Sequence, residues 1–427
     1  MNLNALVRSP RFPRPAPLIV FSLLLAGMAL SNVFSVSRTA DYVQTGLDIS
    51  ANTTLNVTLP NGKIVSGTVQ DSSGGAVAGA LVEAISSDGF ASPFAAAGVT
   101  GTFQLPVRPG THRLEVRPPF ATTDDLADFP RLVPTTTDTY TVNKDLPVGS
   151  VMIPDGYIVT GIVSSASGSA TNVAGWLFAI PTGGLSPWGV TPAVFGTGAQ
   201  ARTFFVALPA GRYNLSLIAV QGFTSKWDMV PMTSYGTNKV TVSKDMTANM
   251  KIPSGAKFTG SVKDKSGNIV NGALVIKKRG SSPLVDGGTT VMLVTNGAFI
   301  GYLPKGQYDA MFIPMFNDAY TGLATKTGTS FTIGTSASTL SITADNGVIL
   351  SGKITNAKGK VVSTASITAF PSGADPEDLT SLPLTAKADS KTGVYRLSVP
   401  PGTYDIQAVP KGFGALSEIE RLAATLR

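Results

Sequence analysis

The stretch "FTGSVKDKSGNIVNGALV", residues 258 to 275, reads as strand, tight turn and strand. Its alternation sets Phe258, Gly260 and Val262 on one side of a strand and Thr259, Ser261 and Lys263 on the other. The polar run Asp264 to Asn268 then reads as a tight turn, and a second strand follows. Near copies are "VSGTVQDSSGGAVAGALV" from Val65, "VTGIVSSASGSATNVAGWL" from Val159 and "LSGKITNAKGKVVSTASI" from Leu350. The recurring glycines, Gly67, Gly161, Gly260 and Gly352, lie 94, 99 and 92 residues apart, a domain-sized period. The chain is therefore an array of small domains.

A second anchor recurs with the first: "FQLPVRPGTHRLEV" at Phe103, "FFVALPAGRYNLSL" at Phe204, "FIGYLPKGQYDAMF" at Phe299 and "YRLSVPPGTYDIQA" at Tyr395. Aligned on Gly110, Gly211, Gly306 and Gly402, each copy has an aromatic residue seven positions earlier and apolar alternation on both sides, as expected for a hairpin with one face toward a core. Two positions after the glycine stand His112, Tyr213, Tyr308 and Tyr404. The single histidine fills a tyrosine position, so it reads as a packed ring with its polar tip bonded or wet. The first-strand glycines point to the apolar side, and the missing side chain is expected to admit an aromatic ring from the facing sheet.

With 43% hydrophobic and 14% charged residues, 45 Gly and 29 Pro, the 427 residues suit turn-rich β-structure. Arg8, Arg11 and Arg14 precede the apolar run Leu18 to Leu30, and Gly27-Met28-Ala29 offers a small-x-small cleavage pattern. The run fits a signal-peptide core and is short for a spanning helix, so residues 1–37 read as an export signal, with an uncleaved membrane anchor as the alternative. No cysteine is present, which removes disulfides and thioether lipid anchors. The net charge of +7 is dispersed rather than gathered into a basic stripe, against nucleic-acid binding.

The paired anchors together resemble the carboxypeptidase regulatory-like domain, a transthyretin-like (prealbumin-like), Ig-like seven-stranded sandwich, from about residue 60 onward. The resemblance implies a non-catalytic module of exported or surface proteins. Collagen-binding B-type domains with Lys–Asn cross-links are a related pattern that fits poorly, because Lys263 and Lys353 fall on the outward side of their strands.

One histidine and no cysteine exclude a two-histidine zinc peptidase, a typical structural zinc site and a Cys/His dyad. No nucleophile elbow and no phosphate-binding glycine loop appears. Ser254 to Lys257 matches S-x-x-K but precedes a strand rather than opening a helix. The acidic groups Asp124, Asp125, Asp128 and Asp375, Glu377, Asp378 do not recur between copies and read as solvated loops. No catalytic residue, cofactor or metal is therefore expected. Candidate contact residues are Trp188, Phe120, Phe223, Phe316 and Phe413, rings in loops that either plug their own sandwiches or form a surface for carbohydrate or protein.

The repeat count is offset. A further strand precedes each first anchor: "LDISANTTLNVTLPNG" at Leu47, "YTVNKDLPVGSVMIPDG" at Tyr140, "VTVSKDMTANMKIPSG" at Val240 and "FTIGTSASTLSITADNG" at Phe331. In the order of the resembled family this segment closes a domain, so the first copy is spare and the fourth domain lacks one. Permuted units, a fragment of a longer array, or donation of the spare strand to the last domain of another molecule would each account for it.

The reading is an all-β tandem array of four small sandwiches: 1–37 signal or anchor, 38–60 extension with the spare strand, then repeats at 61–155, 156–254, 255–346 and 347–427, the last lacking its closing strand. An extended rod is expected, exported to the cell surface or periplasm, structural or adhesive, with partners or further copies bound through strand edges. A carbohydrate- or peptide-binding module and an accessory chain of a secreted enzyme are the alternatives. Membrane contact is expected only through the N-terminal segment.

Overall fold

The computed structural model describes residues 38–119, 131–165, 175–182, 189–193, 203–219, 234–252, 255–279, 289–314, 322–362, 364–373 and 383–410. All regular structure among them is β. Each repeat forms a two-sheet sandwich. In sandwich 1, Lys63–Gln70 lies between Leu146–Met152 and Thr102–Val107, and the facing sheet runs Ala95–Ala96, Leu81–Ser86, Gly110–Arg117, Thr135–Val142. Sandwich 2 repeats this with Tyr157–Ser165 central in one sheet, and sandwich 3 with Ala256–Lys263.

The turn after the quoted strand is built by one carboxylate. Asp264 Oδ1 accepts the backbone N–H groups of Ser266 and Asn268, each at 2.8 Å, while Gly267 takes φ +88°. Asp71 and Asn356 do the same in sandwiches 1 and 4. Short polar side chains that mimic a backbone acceptor specify the turn here. Lys263 and Lys353 are exposed, as their strand alternation requires.

The recurring first-strand glycine does admit a ring, but from the neighbouring strand rather than the facing sheet. Gly67, Gly161, Gly260 and Gly352 are the cross-strand partners of Phe103, Phe204, Phe299 and Tyr395. A Cβ on Gly67 would lie 2.9 Å from Phe103 Cε1 and 2.6 Å from Gly149 O. The ring covers the glycine within its own sheet, and the strand on the other side closes in as well. Alternation assigns a side of the sheet and leaves the neighbour open.

Candidate functional site

Sandwich 4 is completed by the beginning of the chain. Tyr42–Ile49 pairs antiparallel with Gly402–Val409, from Tyr42↔Ala408 to Ile49↔Gly402. Thr53–Thr54 and Val57–Leu59 then run parallel to Val348–Asn356. The extension thus supplies both final strands of the sandwich, where the sequence suggested one. A bulge between Gln44 and Leu47, with Gly46 at φ +68°, breaks the alternation that would have marked the first of them.

Ile49, Val57 and Leu59 are fully buried in a core with Leu350, Ile354, Leu397 and Ile406. Burial of such side chains stabilises by roughly 1.5–3 kcal/mol each. Edge amides are matched too: Asn52 Oδ1 accepts Ile349 N at 2.9 Å and Asn56 Oδ1 accepts Lys353 N at 3.1 Å. In sandwich 2 the local pair Asp245 and Asn249 serves Ile158 N and Ile162 N in the same way, each at 3.0 Å. The N-terminal segment therefore occupies in sandwich 4 the place that a sequence-local strand occupies in sandwich 2.

One adaptation marks the fourth copy. Where the other repeats have phenylalanine, Tyr395 donates its hydroxyl to Leu55 O at 2.6 Å, and Leu55 N donates to Ser351 O at 2.8 Å. Burial raises the Tyr395 phenol above its ordinary value.

The joint that leads from sandwich 4 into sandwich 1 repeats the backbone pattern of the others. Gly62 N donates to Arg38 O, Gly156 N to Arg131 O and Gly347 N to Gly322 O, at 2.5, 2.7 and 2.7 Å. Arg38 forks onto Asp145 at 3.0 and 2.7 Å, and Arg131 onto Asp245 at 2.8 and 2.7 Å. Both pairs are exposed and worth little energetically, but they show that the joints are alike. Sandwich 4 thereby becomes the neighbour of sandwich 1, so the chain is closed on itself rather than the extended rod expected from the sequence.

Between these two sandwiches lies a buried polar group. Arg108 Nε donates to Asp41 Oδ2 at 2.9 Å, and Gln407 Nε2 donates to the same oxygen at 3.1 Å and to Ala91 O at 2.7 Å. Asp41 and Gln407 are each 2% exposed. Burial pushes the Asp41 carboxyl above its ordinary value, opposed by Arg108 and Gln407. Phe90 meets Phe370 edge-on across the joint, with ring centroids 5.6 Å apart.

His112 stands beside this group. Tyr213, Tyr308 and Tyr404 each donate their hydroxyl to the carbonyl four residues earlier, at 3.0, 2.7 and 2.7 Å, and His112 Nε2 makes the same bond to Arg108 O at 2.8 Å. A carbonyl only accepts, so Nε2 carries the proton, and buried Nδ1 has no partner. Burial lowers the ring's pKa, which keeps it neutral. His112 thus takes the tyrosine's place at this corner.

Trp188, Phe120, Phe223, Phe316 and Phe413 lie outside the described residues, as do the apolar leader, Ser254 and both acidic groups. Among the described residues no group of three or more His, Asp or Glu could hold a metal ion. A cleft of about 490 Å³ opens beside the joint, lined by Arg38, Asn61, Lys63, Asn356 and Lys358. Asp41, Arg108 and Gln407 belong to no motif visible in the sequence. The available signal was Arg108, which stands where the other repeats have Pro209, Pro304 and Pro400.

No protein-family model matches the chain, and no curated protein matches it. Solved structures give distant likenesses. The Bacillus anthracis TIE protein is 11% identical over 67% of this chain and 51% of its own, with a TM-score of 0.18. A streptococcal ancillary pilin is 12% identical over 66% of this chain and 99% of its own, with a TM-score of 0.19. BcpA, the major pilin subunit of Bacillus cereus, has the same identity, coverage and TM-score. The chain spans about half the length of the TIE protein. At such scores the likenesses transfer nothing about assembly or location to this chain.

Proposed function

We propose that the chain is an exported, non-catalytic structural or adhesive protein of the cell surface, built from four carboxypeptidase regulatory-like sandwiches and working through strand pairing. The observation that carries this reading is the seating of residues 42–59 in sandwich 4. The pairing is main-chain hydrogen bonding plus buried alternate side chains, the general chemistry of strand addition. Made within one chain it gives a closed unit. Made with a second copy it gives a head-to-tail contact that need not close, and hence a filament. Which form dominates depends on protein concentration against the effective concentration at which the three intervening sandwiches present the segment to sandwich 4.

The test is light scattering with negative-stain imaging on residues 38–427, before and after unfolding and refolding at high concentration. Closed monomers at first, and linear multimers after concentrated refolding, are expected. Monomers under every condition would remove the filament, and recovery of the full chain only from the cytosol of its producing cell would remove the surface role.

A further inference from the structure

The joint between sandwiches 4 and 1 shares its backbone pattern with the others but not its side chains. At the place of Asp41 the joints after sandwiches 1 and 3 have Pro134 and Thr325, and at the place of Arg108 the other three sandwiches have proline. At the place of Gln407 they have Glu115, Ser216 and Met311. The two N–H donors of a glutamine amide are here spent on two acceptors of its neighbour, Asp41 Oδ2 and Ala91 O. Arg108, anchored also to Ser86 at 3.3 Å, holds the carboxylate in position.

We propose that Gln407 is the residue by which sandwich 4 recognises segment 38–61 together with sandwich 1, taken from the same chain in the closed form and from a second copy in the head-to-tail form. The proposal rests on the strand-pairing reading above. Main-chain pairing alone is poor at discrimination, because every sandwich in the array has a similar edge. Discrimination comes from what a wrong neighbour leaves unpaired. Against sandwich 2 or 3 the Gln407 amide meets no Arg-held carboxylate. Conversely, Asp41 against a strand carrying glutamate, as at Glu115, meets a like charge, and against methionine, as at Met311, a surface without donors. Buried groups without partners carry their full desolvation cost, so the wrong pairings are disfavoured even where the strands fit.

Gln407→Glu keeps the shape of the side chain, removes both donors and sets a carboxylate against Asp41. Hydrogen exchange in the full chain should then quicken by more than about a hundredfold at residues 42–49 and 402–409, the scale expected for a buried charge left without its partner. Exchange at 157–162 and 203–208 in sandwich 2 should be unchanged. Adding Asp41→Asn restores a donor facing Glu at position 407 while keeping an acceptor for Arg108, and should return exchange to within about tenfold of the parent. An unresponsive Gln407→Glu variant, equal loosening of all four sandwiches, or no rescue by Asp41→Asn would overturn the proposal. The cross-link between Asp48→Cys and Thr403→Cys in the otherwise unaltered chain separates the two levels. Its absence removes the strand-pairing reading itself, whereas its formation beside an unresponsive Gln407→Glu removes only the recognition role.

Discussion

Gly352→Ala should release the N-terminal segment from sandwich 4 while leaving the other three sandwiches intact. A Cβ at this position would fall onto Leu55 O, 2.6 Å from the Leu55 carbonyl carbon and 3.1 Å from Tyr395 Oη. Ordinary contact begins at 3.4 Å and the carbonyl oxygen is the nearest of the three atoms, so the segment must retreat by about 1.4 Å, and the obstacle is backbone that has no rotamer to change. Overpacking of this kind costs about 1–3 kcal/mol. The retreat also strains two hydrogen bonds, Leu55 N to Ser351 O and Tyr395 Oη to Leu55 O, each contributing about 1 kcal/mol. Together the pairing should weaken by roughly 3–5 kcal/mol. Hydrogen exchange resolved by segment is the assay: residues 42–59 should lose protection together with 402–409. Tyr395→Phe, which removes the hydroxyl alone, should produce a milder loss of about 1 kcal/mol in the same segments. Unchanged protection at 42–59 in Gly352→Ala would mean that sandwich 4 is filled in another way, since such a chain would not feel that Cβ.

Three further outcomes follow from the repeated corner and joint. His112→Tyr gives sandwich 1 the residue of its three counterparts and removes the unpartnered Nδ1, so the protein should gain about 1 kcal/mol in denaturant unfolding; a loss of that size would contradict the corner's equivalence. The phenols of Tyr213, Tyr308 and Tyr404 are each pushed up to about 12 by burial, so their stabilising contribution is complete below their ordinary value of 10.0 and is lost as pH rises through about 12. Alkaline difference absorbance should show these three titrating late, and ordinary titration would mean the corners are open. Asp245 is held down to about 2 by Arg131 and the Ile158 amide, so its contribution is complete above the ordinary 3.8 and fades as pH falls through about 2. A carboxyl titration by nuclear magnetic resonance should find it ionised after other aspartates have protonated, and Asp245→Asn should remove that part of the acid dependence.

Much of this architecture is written in the sequence because it is repeated. The spacing of Gly67, Gly161, Gly260 and Gly352 marks the four sandwiches, and the alignment of His112 with three tyrosines marks the corner hydrogen bond that it shares with them. The spare strand was visible as an offset in the count, but its destination was not. Strand pairing between residues 42–49 and 402–409 depends on closure of the array in space, which no local pattern encodes. Alternation places the glycine on a side of the sheet, whereas the ring that covers it comes from the neighbouring strand, which depends on register. Gln407 is an unremarked residue in a strand until its two acceptors are brought to it from the opposite end of the chain.

Residues 42–59 complete sandwich 4, and the absence of native cysteine permits a direct test of that pairing. Asp48 and Thr403 are cross-strand partners with exposed side chains, within the range a disulfide spans for antiparallel neighbours. The variant carrying both Asp48→Cys and Thr403→Cys should oxidise readily to a disulfide, tying the two ends within one chain in dilute protein and linking successive chains after concentrated refolding. Two thiols that stay free under mild oxidation, in a protein that is otherwise folded, would contradict the account.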